Sequence, residues 1–141
     1  MKNQPKLEDI AKKPNGKLHI LVADDEEDVL RYDSHFFGEY SKGKYHVVFA
    51  RDGQEVIEKA KREKFDLVVL DLMMPILSGE EVYMHLKKND PQLAKKVLIR
   101  STVLGTSYAH FVKAEGIPSL HKYAPFHEYE SKIQEVLNNG H

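Results

Sequence analysis

The sequence predicts a doubly wound α/β fold, in which helices cover both faces of a five-stranded parallel sheet. Short apolar runs rich in Val, Ile and Leu recur along the chain and are too short for helices. Amphipathic segments with helical spacing lie between these runs. The chain has 141 residues, the length of one domain that buries roughly two-thirds of its unfolded surface. Strands and helices that alternate within one domain favour a parallel sheet.

The apolar runs are the predicted strands. Runs that are apolar at every position are typical of strands buried on both faces of a parallel sheet. In chain order they are LHILVA (18–23), YHVVFA (45–50), FDLVVL (65–70), KVLIR (96–100) and the weaker IPSLH (117–121).

Each strand is followed by a predicted helix. Ser78 and Glu81 have the spacing of a capping box, which predicts the start of the third helix. The other helices are predicted from apolar residues at helical spacing. These are Val29, Phe36, Phe37 and Tyr40 in the first helix, Val56, Ile57 and Ala60 in the second, Val82, Tyr83 and Leu86 in the third, residues 106–115 in the fourth, and residues 126–138 in the fifth.

The composition excludes several classes of protein. The formal net charge is −1 and no basic region stands out, so nucleic acid and anionic membranes are not expected partners. The absence of cysteine excludes disulfides, thiolate zinc sites and cysteine nucleophiles, and it fits a reducing compartment. No apolar stretch approaches the ~18 residues of a membrane span, and no signal peptide is evident. We therefore expect a cytoplasmic protein.

Three segments are predicted along the chain. Residues 1–17 are rich in Lys and contain Pro5, Pro14 and Gly16, which favours a flexible or loosely docked extension. Residues 18–138 form the predicted domain, and residues 139–141 form a C-terminal tail.

Polar residues follow the predicted strands at the point where each strand ends. They are Asp24 and Asp25 after the first strand, Asp71 after the third, Ser101 and Thr102 after the fourth, and Lys122 after the fifth. Ligands of doubly wound sheets bind outside the carboxyl ends of the strands, where the strand order reverses. We therefore expect these side chains to converge on one edge of the sheet.

Each of these residues also has an ordinary interpretation. The acids at 24–28 could stabilise the positive end of the following helix, Ser101 could be a turn residue, and Lys122 could be solvated. Asp71 is harder to explain in this way, because burial of an unpaired acid after an apolar strand is unfavourable.

Together, the residues have a specific chemistry. Carboxylates without His or Cys nearby suit Mg²⁺, which binds through one or two carboxylates and phosphate oxygens. A lysine and a hydroxyl would supply donors to a phosphoryl group. Because the sequence has no glycine-rich phosphate loop, an aspartate is the candidate phosphoryl acceptor.

Five segments carry a resemblance to a known family. They are ILVADDEEDVL, ARDGQEV, LVVLDLMMPILSGEEV, VLIRST and HKYAPF. In this order and spacing they resemble the receiver domain of response regulators in two-component signalling, over about residues 18–137. The resemblance implies a flavodoxin-like fold with strand order 2-1-3-4-5, and a signalling domain that is not an enzyme but assists its own phosphorylation and dephosphorylation.

The resemblance also implies a role for each site residue. Asp71 would accept the phosphoryl group. Asp25, Asp71 and the backbone carbonyl of Met73 would bind Mg²⁺, and Asp24 would hold a metal-bound water. Ser101 and Lys122 would contact the phosphoryl oxygens, while Pro75 and Gly79 match the loop after the acceptor.

The partners that the resemblance implies are proteins. A histidine kinase or histidine phosphotransfer protein would donate the phosphoryl group. Phosphorylation would change the face formed by α4, β5 and α5, numbered in the predicted order, which would bind a downstream protein or form a homodimer. The ends of the sequence favour a single-domain regulator of the chemotaxis type over a receiver excised from a longer protein.

The sequence departs from the family pattern around the site. Tyr123 follows Lys122 where most relatives have proline. Ser119 occupies the position of an aromatic switch residue, and Tyr123 and Tyr108 are the candidate substitutes for it. Thr102 is bulkier than the usual Ala or Gly. Met73 and Val103 offer no polar group to an attacking water, which predicts a long-lived aspartyl phosphate.

Two other functions and one unusual residue stay open at this point. A pseudo-receiver would bind proteins without phosphorylation, and it is favoured if Lys122 cannot reach the site. A phosphatase of the haloacid-dehalogenase type would need an aspartate where Met73 stands. Arg100 interrupts an apolar strand, and it is expected to reach solvent or to pair with an acid.

Overall fold

The computed structural model describes residues 17–102 and 107–139, with the backbone alone for residues 107–109 and 139. In this part of the chain, five parallel strands form one sheet in the order β2-β1-β3-β4-β5. The predicted fold class and strand order are therefore confirmed. The strands are β1 Leu18–Ala23, β2 Tyr45–Ala50, β3 Leu67–Asp71, β4 Val97–Ser101 and β5 Ser119–His121.

Five helices alternate with the strands in the described residues. They are α1 Glu27–His35, α2 Gly53–Arg62, α3 Gly79–Asn89, α4 Ser107–Glu115 and α5 Phe126–Asn139. The first predicted helix included Phe36, Phe37 and Tyr40, but the π-helical form of that part was not predicted, and neither was a short helix after α3. A π-helical segment, Phe36–Tyr40, extends α1, and a one-turn helix, Pro91–Ala94, follows α3.

The predicted capping box opens α3. The Ser78 hydroxyl accepts a hydrogen bond from the Glu81 amide at 3.1 Å, and the Glu81 carboxylate accepts one from the Ser78 amide at 3.0 Å. These two bonds satisfy amide groups that would otherwise lack a partner at the start of the helix. The start of α3 fixes where the loop after β3 must end.

The sheet separates two hydrophobic cores. Side chains alternate along each strand, so one set of positions faces α1 and α5 and the other set faces α2, α3 and α4. The first core includes Ile20, Val22, Leu67, Val69, Leu98, Leu120, Phe36, Tyr129 and Ile133. The second includes Leu21, Ala23, Val68, Leu70, Val97, Ile99, Val56, Val82, Leu86 and Val112.

Some predictions concern residues outside the described ranges. The predicted N-terminal extension lies there except for Lys17, and so do Val103, the side chain of Tyr108 and most of the C-terminal tail. Among the described helices, none combines the length and the apolar character that crossing a membrane requires.

Candidate functional site

Side-chain alternation brings charged residues to one side of the sheet, at its carboxyl end. Asp24 continues the alternation of Ile20 and Val22 in β1, and Asp71 continues that of Leu67 and Val69 in β3. These positions face the core that contains α1 and α5. Lys122 follows Leu120 by two positions, and Arg100 follows Leu98 by two, so both share this side of the sheet. Strand register therefore gathers two acids and two bases.

Three carboxylates form the acidic site, which comprises Asp24, Asp25 and Asp71. Each offers an oxygen that lies within 4.8 Å of the oxygens of the other two. Asp24 and Asp71 are buried, with 0% and 1% of their surfaces exposed, whereas Asp25 is exposed. The Asp24 carboxylate accepts a hydrogen bond from the Glu26 amide at 2.9 Å, and Asp71 accepts one from the Met73 amide at 3.3 Å. Asp25 is thus the solvent-exposed carboxylate of the three.

Lys122 is the cation that faces the acidic site. Its ammonium group lies 3.1 Å from Asp71 Oδ2, 3.4 Å from Asp24 Oδ1 and 2.6 Å from the carboxylate of Glu26. Only 4% of its surface is exposed. The predicted position of Lys122 at the site therefore agrees with the geometry, and it pairs with three acids rather than with solvent.

The site holds its charges at an energetic cost. Burial, together with the nearby charge of Asp24, raises the pKa of Asp71 to about 6, while Lys122 opposes this rise. Burial also raises the pKa of Asp24. Burial alone would lower the pKa of Lys122, but its hydrogen bond to Glu26 and the charges of Asp71 and Asp24 raise it. A cation bound beside Asp24 and Asp71 would stabilise the ionised forms of both buried carboxylates.

The donor set fits a hard cation such as Mg²⁺. All three side-chain donors of the acidic site are carboxylate oxygens, which this ion prefers. Asp24 Oδ2 is buried and accepts no hydrogen bond, and a buried acceptor without a partner is unfavourable unless a ligand or water completes it. Met73 also contacts the acidic site, because its backbone amide donates a hydrogen bond to Asp71.

The loop after Asp71 depends on a glycine at its far end. The Gly79 amide donates a hydrogen bond to the Leu72 carbonyl at 2.8 Å. A side chain on Gly79 would begin 2.3 Å from the Asp71 carbonyl oxygen, which leaves no room for a methyl group. The loop therefore folds back onto the backbone of Asp71, and Gly79 is required for that approach.

The remaining predicted site residues lie near the same edge. Ser101 is buried at the end of β4, one residue beyond Arg100, which is the register partner of Asp71. Thr102 and Met73 are exposed, with 50% of the Met73 surface open to solvent. The structure thus places Ser101 on the strand next to Asp71, and it places the side chains of Thr102 and Met73 on the surface.

The loop after Lys122 differs from the proline-containing loop of relatives. No peptide bond among the described residues is cis, and Tyr123 adopts a left-handed backbone with φ of 62°. Its ring packs edge-on against Tyr32, with ring centroids 5.3 Å apart, and 48% of its surface is exposed. Ser119, the counterpart of the aromatic switch, is the first residue of β5.

Arg100 is fully buried and pairs with an acid, one of the two expected outcomes. Its guanidinium donates to both carboxylate oxygens of Asp33 and, at 2.9 Å, to the hydroxyl of Tyr129. We call Asp33, Arg100 and Tyr129 the buried ion network. Burial opposes the charge of Arg100, but Tyr129, Asp33 and Asp24 raise its pKa, so it stays protonated.

The sequence analysis missed three residues that contact site groups. Glu26 was interpreted only as part of a helix start, yet its side chain binds Lys122. Asp33 and Tyr129 were not singled out beyond helical periodicity. The available signal was the charged Arg100 inside an apolar strand, which requires a buried partner.

The chain is similar to known response regulators. The sequence model of the response regulator receiver domain matches residues 20–121. Response regulator RR06 of Streptococcus pneumoniae is 51% identical over 65 residues, which cover 46% of this chain and 29% of that protein. The alkaline phosphatase synthesis transcriptional regulatory protein PhoP of Bacillus subtilis is 44% identical over 72 residues, covering 49% of this chain and 28% of that protein. The matches thus span less than a third of these relatives.

Solved structures show the same architecture. The chemotaxis protein CheY4 of Vibrio cholerae aligns with a TM-score of 0.73 and 25% identity, over 86% of this chain and 99% of that protein. The response regulator TrrA of Thermotoga maritima, solved in complex with Mg²⁺ and BeF, aligns with a TM-score of 0.71 and 26% identity, over 85% of this chain and 99% of that one. The chain belongs to the response regulator receiver domain family of two-component signalling proteins.

Proposed function

We propose that this receiver domain is a phosphorylation-controlled switch that accepts a phosphoryl group on Asp71 in a reaction that requires Mg²⁺. The observation that carries the proposal is the acidic site itself. It combines three carboxylates within 4.8 Å with a lysine ammonium 3.1 Å from Asp71 Oδ2. Charge and positioning of this kind are what phosphoryl transfer needs from a protein.

The residues of the site have distinct tasks in this proposal. An Asp71 carboxylate oxygen bonds to phosphorus while the bond from phosphorus to the donor's histidine nitrogen breaks. The electron pair returns to the imidazole, which takes a proton from solvent. Lys122 pairs with the phosphoryl oxygens, and the Ser101 hydroxyl donates a hydrogen bond to them. These contacts stabilise charge that the buried carboxylates alone would repel.

The acidic site would hold the metal ion. Asp25, Asp71 and the Met73 carbonyl are the proposed ligands, and Asp24 is the proposed partner of a metal-bound water. Mg²⁺ would neutralise part of the charge of the carboxylates and of the phosphoryl oxygens. Asp24 Oδ2, which is buried and accepts no hydrogen bond in the described residues, supports this assignment.

The phosphoryl donor is a histidine kinase or a histidine phosphotransfer protein in this proposal, and the signal leaves through α4, β5 and α5. Ser101 ends β4 and leads directly toward α4 along the chain, so a movement of Ser101 toward the phosphoryl group would displace the segment before α4. That face would bind a downstream protein or a second copy of the chain. Sedimentation with and without Mg²⁺ and beryllium fluoride would separate these two outcomes.

The test of the switch is phosphorylation by small donors followed by intact-mass measurement. Acetyl phosphate and phosphoramidate with Mg²⁺ should add one phosphoryl group to the protein, and EDTA should prevent the addition. The Asp71→Asn variant should gain no mass. An unmodified wild-type protein with both donors and with a phosphorylated histidine phosphotransfer protein would contradict the proposal.

The pseudo-receiver alternative, in which the domain binds proteins without phosphorylation, has lost its main support. It was favoured if Lys122 could not reach the site, and Lys122 lies 3.1 Å from Asp71. The phosphatase alternative needs a separate assay, in which turnover of an added phosphomonoester without a stable mass increase of the protein would favour it.

The phosphoryl group should be long-lived. Met73 and Thr102 are exposed beside the site and, together with Val103, are the proposed modulating residues. Because the side chains of Met73 and Val103 cannot orient an attacking water, we expect slow hydrolysis. Met73→Asn and Met73→Glu should shorten the half-life of the phosphorylated protein, and an unchanged half-life would count against this part of the proposal.

A further inference from the structure

The buried ion network lies directly behind the acidic site and joins three elements of the fold. Asp33 comes from α1, Arg100 from β4 and Tyr129 from α5. Their exposed fractions are 0%, 1% and 1%. Arg100 Nη2 donates to Asp33 Oδ2 at 2.7 Å, and the Tyr129 hydroxyl donates to Asp33 Oδ1 at 2.9 Å. The two-pronged contact fixes the plane of the guanidinium as well as its position.

The same guanidinium lies close to the acidic site. Arg100 Nη2 is 3.6 Å from Asp24 Oδ2, which is too long for a hydrogen bond. Asp24 Oδ2 is a buried carboxylate oxygen that accepts no hydrogen bond in the described residues, although Lys122 Nζ lies 3.3 Å from it. Arg100 therefore faces two buried carboxylates, and it is bonded to only one of them.

The choice between these two carboxylates matters for metal binding. A charge-assisted hydrogen bond between guanidinium and carboxylate is about 2.7–2.9 Å long, so a shift of about 1 Å would bring Arg100 onto Asp24. Without Asp33, a buried cation would strongly favour that shift, because an unpaired buried charge is very unfavourable. Asp24 Oδ2 would then be occupied by the guanidinium.

We propose that Asp33 and Tyr129 are positioning residues for the acidic site, which hold the Arg100 guanidinium away from the Asp24 oxygen that a metal ion or its bound water would use. This inference rests on the proposed function, since it concerns the same metal position. It adds a specific task for a polar cluster that lies outside that position. Residues that orient metal ligands from behind typically change metal affinity by about 10- to 100-fold when they are substituted.

The test is the dissociation constant for Mg²⁺, measured by calorimetric titration of the full chain without any phosphoryl donor. In Asp33→Asn the side chain keeps its shape but loses its charge, so Arg100 should move onto Asp24. We expect the dissociation constant to rise by about tenfold. Tyr129→Phe removes the hydroxyl that bonds to Arg100 and to Asp33 but leaves the charge of Asp33 in place. It should therefore raise the dissociation constant by a smaller factor, about two- to threefold.

A double variant separates this role from a merely structural one. Asp33→Leu combined with Arg100→Met removes the acid and the competing cation together. Its Mg²⁺ dissociation constant should return to within about twofold of the wild-type value, as expected when the competitor is absent. Glu115→Gln, which removes the acid of the exposed Lys87–Glu115 pair, is the matched control and should leave the constant unchanged.

Two results would overturn the inference. The first is a Mg²⁺ dissociation constant that is the same in Asp33→Asn and in Tyr129→Phe as in the wild type. The second is a double variant that binds Mg²⁺ as weakly as Asp33→Asn does. Circular dichroism identifies any variant that does not fold, and the remaining variants then decide the question. If the wild-type protein itself did not bind Mg²⁺, the proposed function would fail first, so the two failures are distinguishable.

Discussion

The two faces of the sheet differ in the side chains that they bury. The face covered by α2, α3 and α4 buries an apolar set of strand residues, which includes Leu21, Leu70 and Ile99. The face covered by α1 and α5 also has an apolar core, but it carries Asp24, Asp71, Arg100 and Lys122 toward the carboxyl end of its strands. The first face contributes stability through packing. The second holds buried acids and bases that pair with one another.

This difference explains why the site lies where it does. On the α1/α5 face, the alternation that points Val22 and Val69 into the core also points Asp24 and Asp71 inward at the next position. A buried acid is unfavourable alone, and here each has a cation within 4 Å. The arrangement is tolerated because cations and acids share the same edge. Asp24 Oδ2 still accepts no hydrogen bond in the described residues, although Lys122 Nζ lies 3.3 Å from it.

The largest effect should come from breaking the buried ion network on the charged face. Arg100→Met leaves Asp33 buried without its cation, and we expect a loss of about 3–5 kcal/mol in the free energy of unfolding. Urea unfolding in EDTA measures it. The double variant Asp33→Leu with Arg100→Met should recover most of the loss, because no buried charge is left unpaired. Equal losses in the single and double variants would show that packing, not charge pairing, dominates this region.

On the apolar face the matched experiment is Leu70→Ala. Leu70 is fully buried in the core shared with α2 and α3, and its truncation should lower the free energy of unfolding by about 2–5 kcal/mol. The affinity for Mg²⁺ should stay at the wild-type value in folded protein. A large change in affinity would contradict the division of tasks between the two faces.

The charged face should make stability depend on pH. The pKa of Asp71 is raised from 3.8 to about 6, so the folded protein binds a proton more tightly than the unfolded chain does. This contribution to stability is fully present below pH 4 and is lost as the pH rises through about 6. At 1.36 kcal/mol per unit it amounts to about 2–3 kcal/mol of unfolding free energy.

The control for this pH dependence is Asp71→Asn, which cannot titrate. In EDTA, the stability of the wild type relative to this variant should fall between pH 4 and pH 7.5, and the variant should be the more stable protein at pH 7.5. Urea unfolding at several pH values provides the comparison. Parallel pH profiles of the two proteins would show that the titration of Asp71 does not change the free energy of unfolding.

The smallest expected effect concerns the helix that ends the Asp71 loop. Ser78→Ala removes the capping hydroxyl of α3 and should lower the free energy of unfolding by about 1 kcal/mol. Thermal unfolding measures the change. Glu80→Gln, whose side chain is exposed in the same turn, is a suitable control and should change stability less. A Ser78→Ala variant as stable as the wild type would mean that the loop holds α3 in place without the cap.

The fold and the site were predictable to different extents. Strands appear as apolar runs and helices as periodic patterns, so local sequence determines both the element types and the strand ends that carry Asp24, Asp71 and Lys122. Pairing between distant residues has no such signature. Asp33 and Arg100 are 67 positions apart, and only the packing of α1 against β4 makes them neighbours.

Two local backbone conformations also could not be predicted from the sequence. In the π-helical extension of α1, Phe36 stacks on the Tyr129 ring, with centroids 4.2 Å apart. The left-handed conformation of Tyr123 is one that larger side chains rarely adopt. Lys122 reaches Asp71 although Tyr123 rather than proline follows it, and from the sequence we predicted only that the loop would differ.

The most direct test of the central claim is to locate the phosphoryl group. Protein phosphorylated with phosphoramidate and Mg²⁺ is reduced with borohydride, which converts an aspartyl phosphate to homoserine, and its peptides are analysed by mass spectrometry. The account predicts homoserine at position 71 and at no other acid, none of it when EDTA is present, and much less in Lys122→Gln. Homoserine at Asp24 or Asp25, or an unmodified Asp71 in phosphorylated protein, would contradict the account.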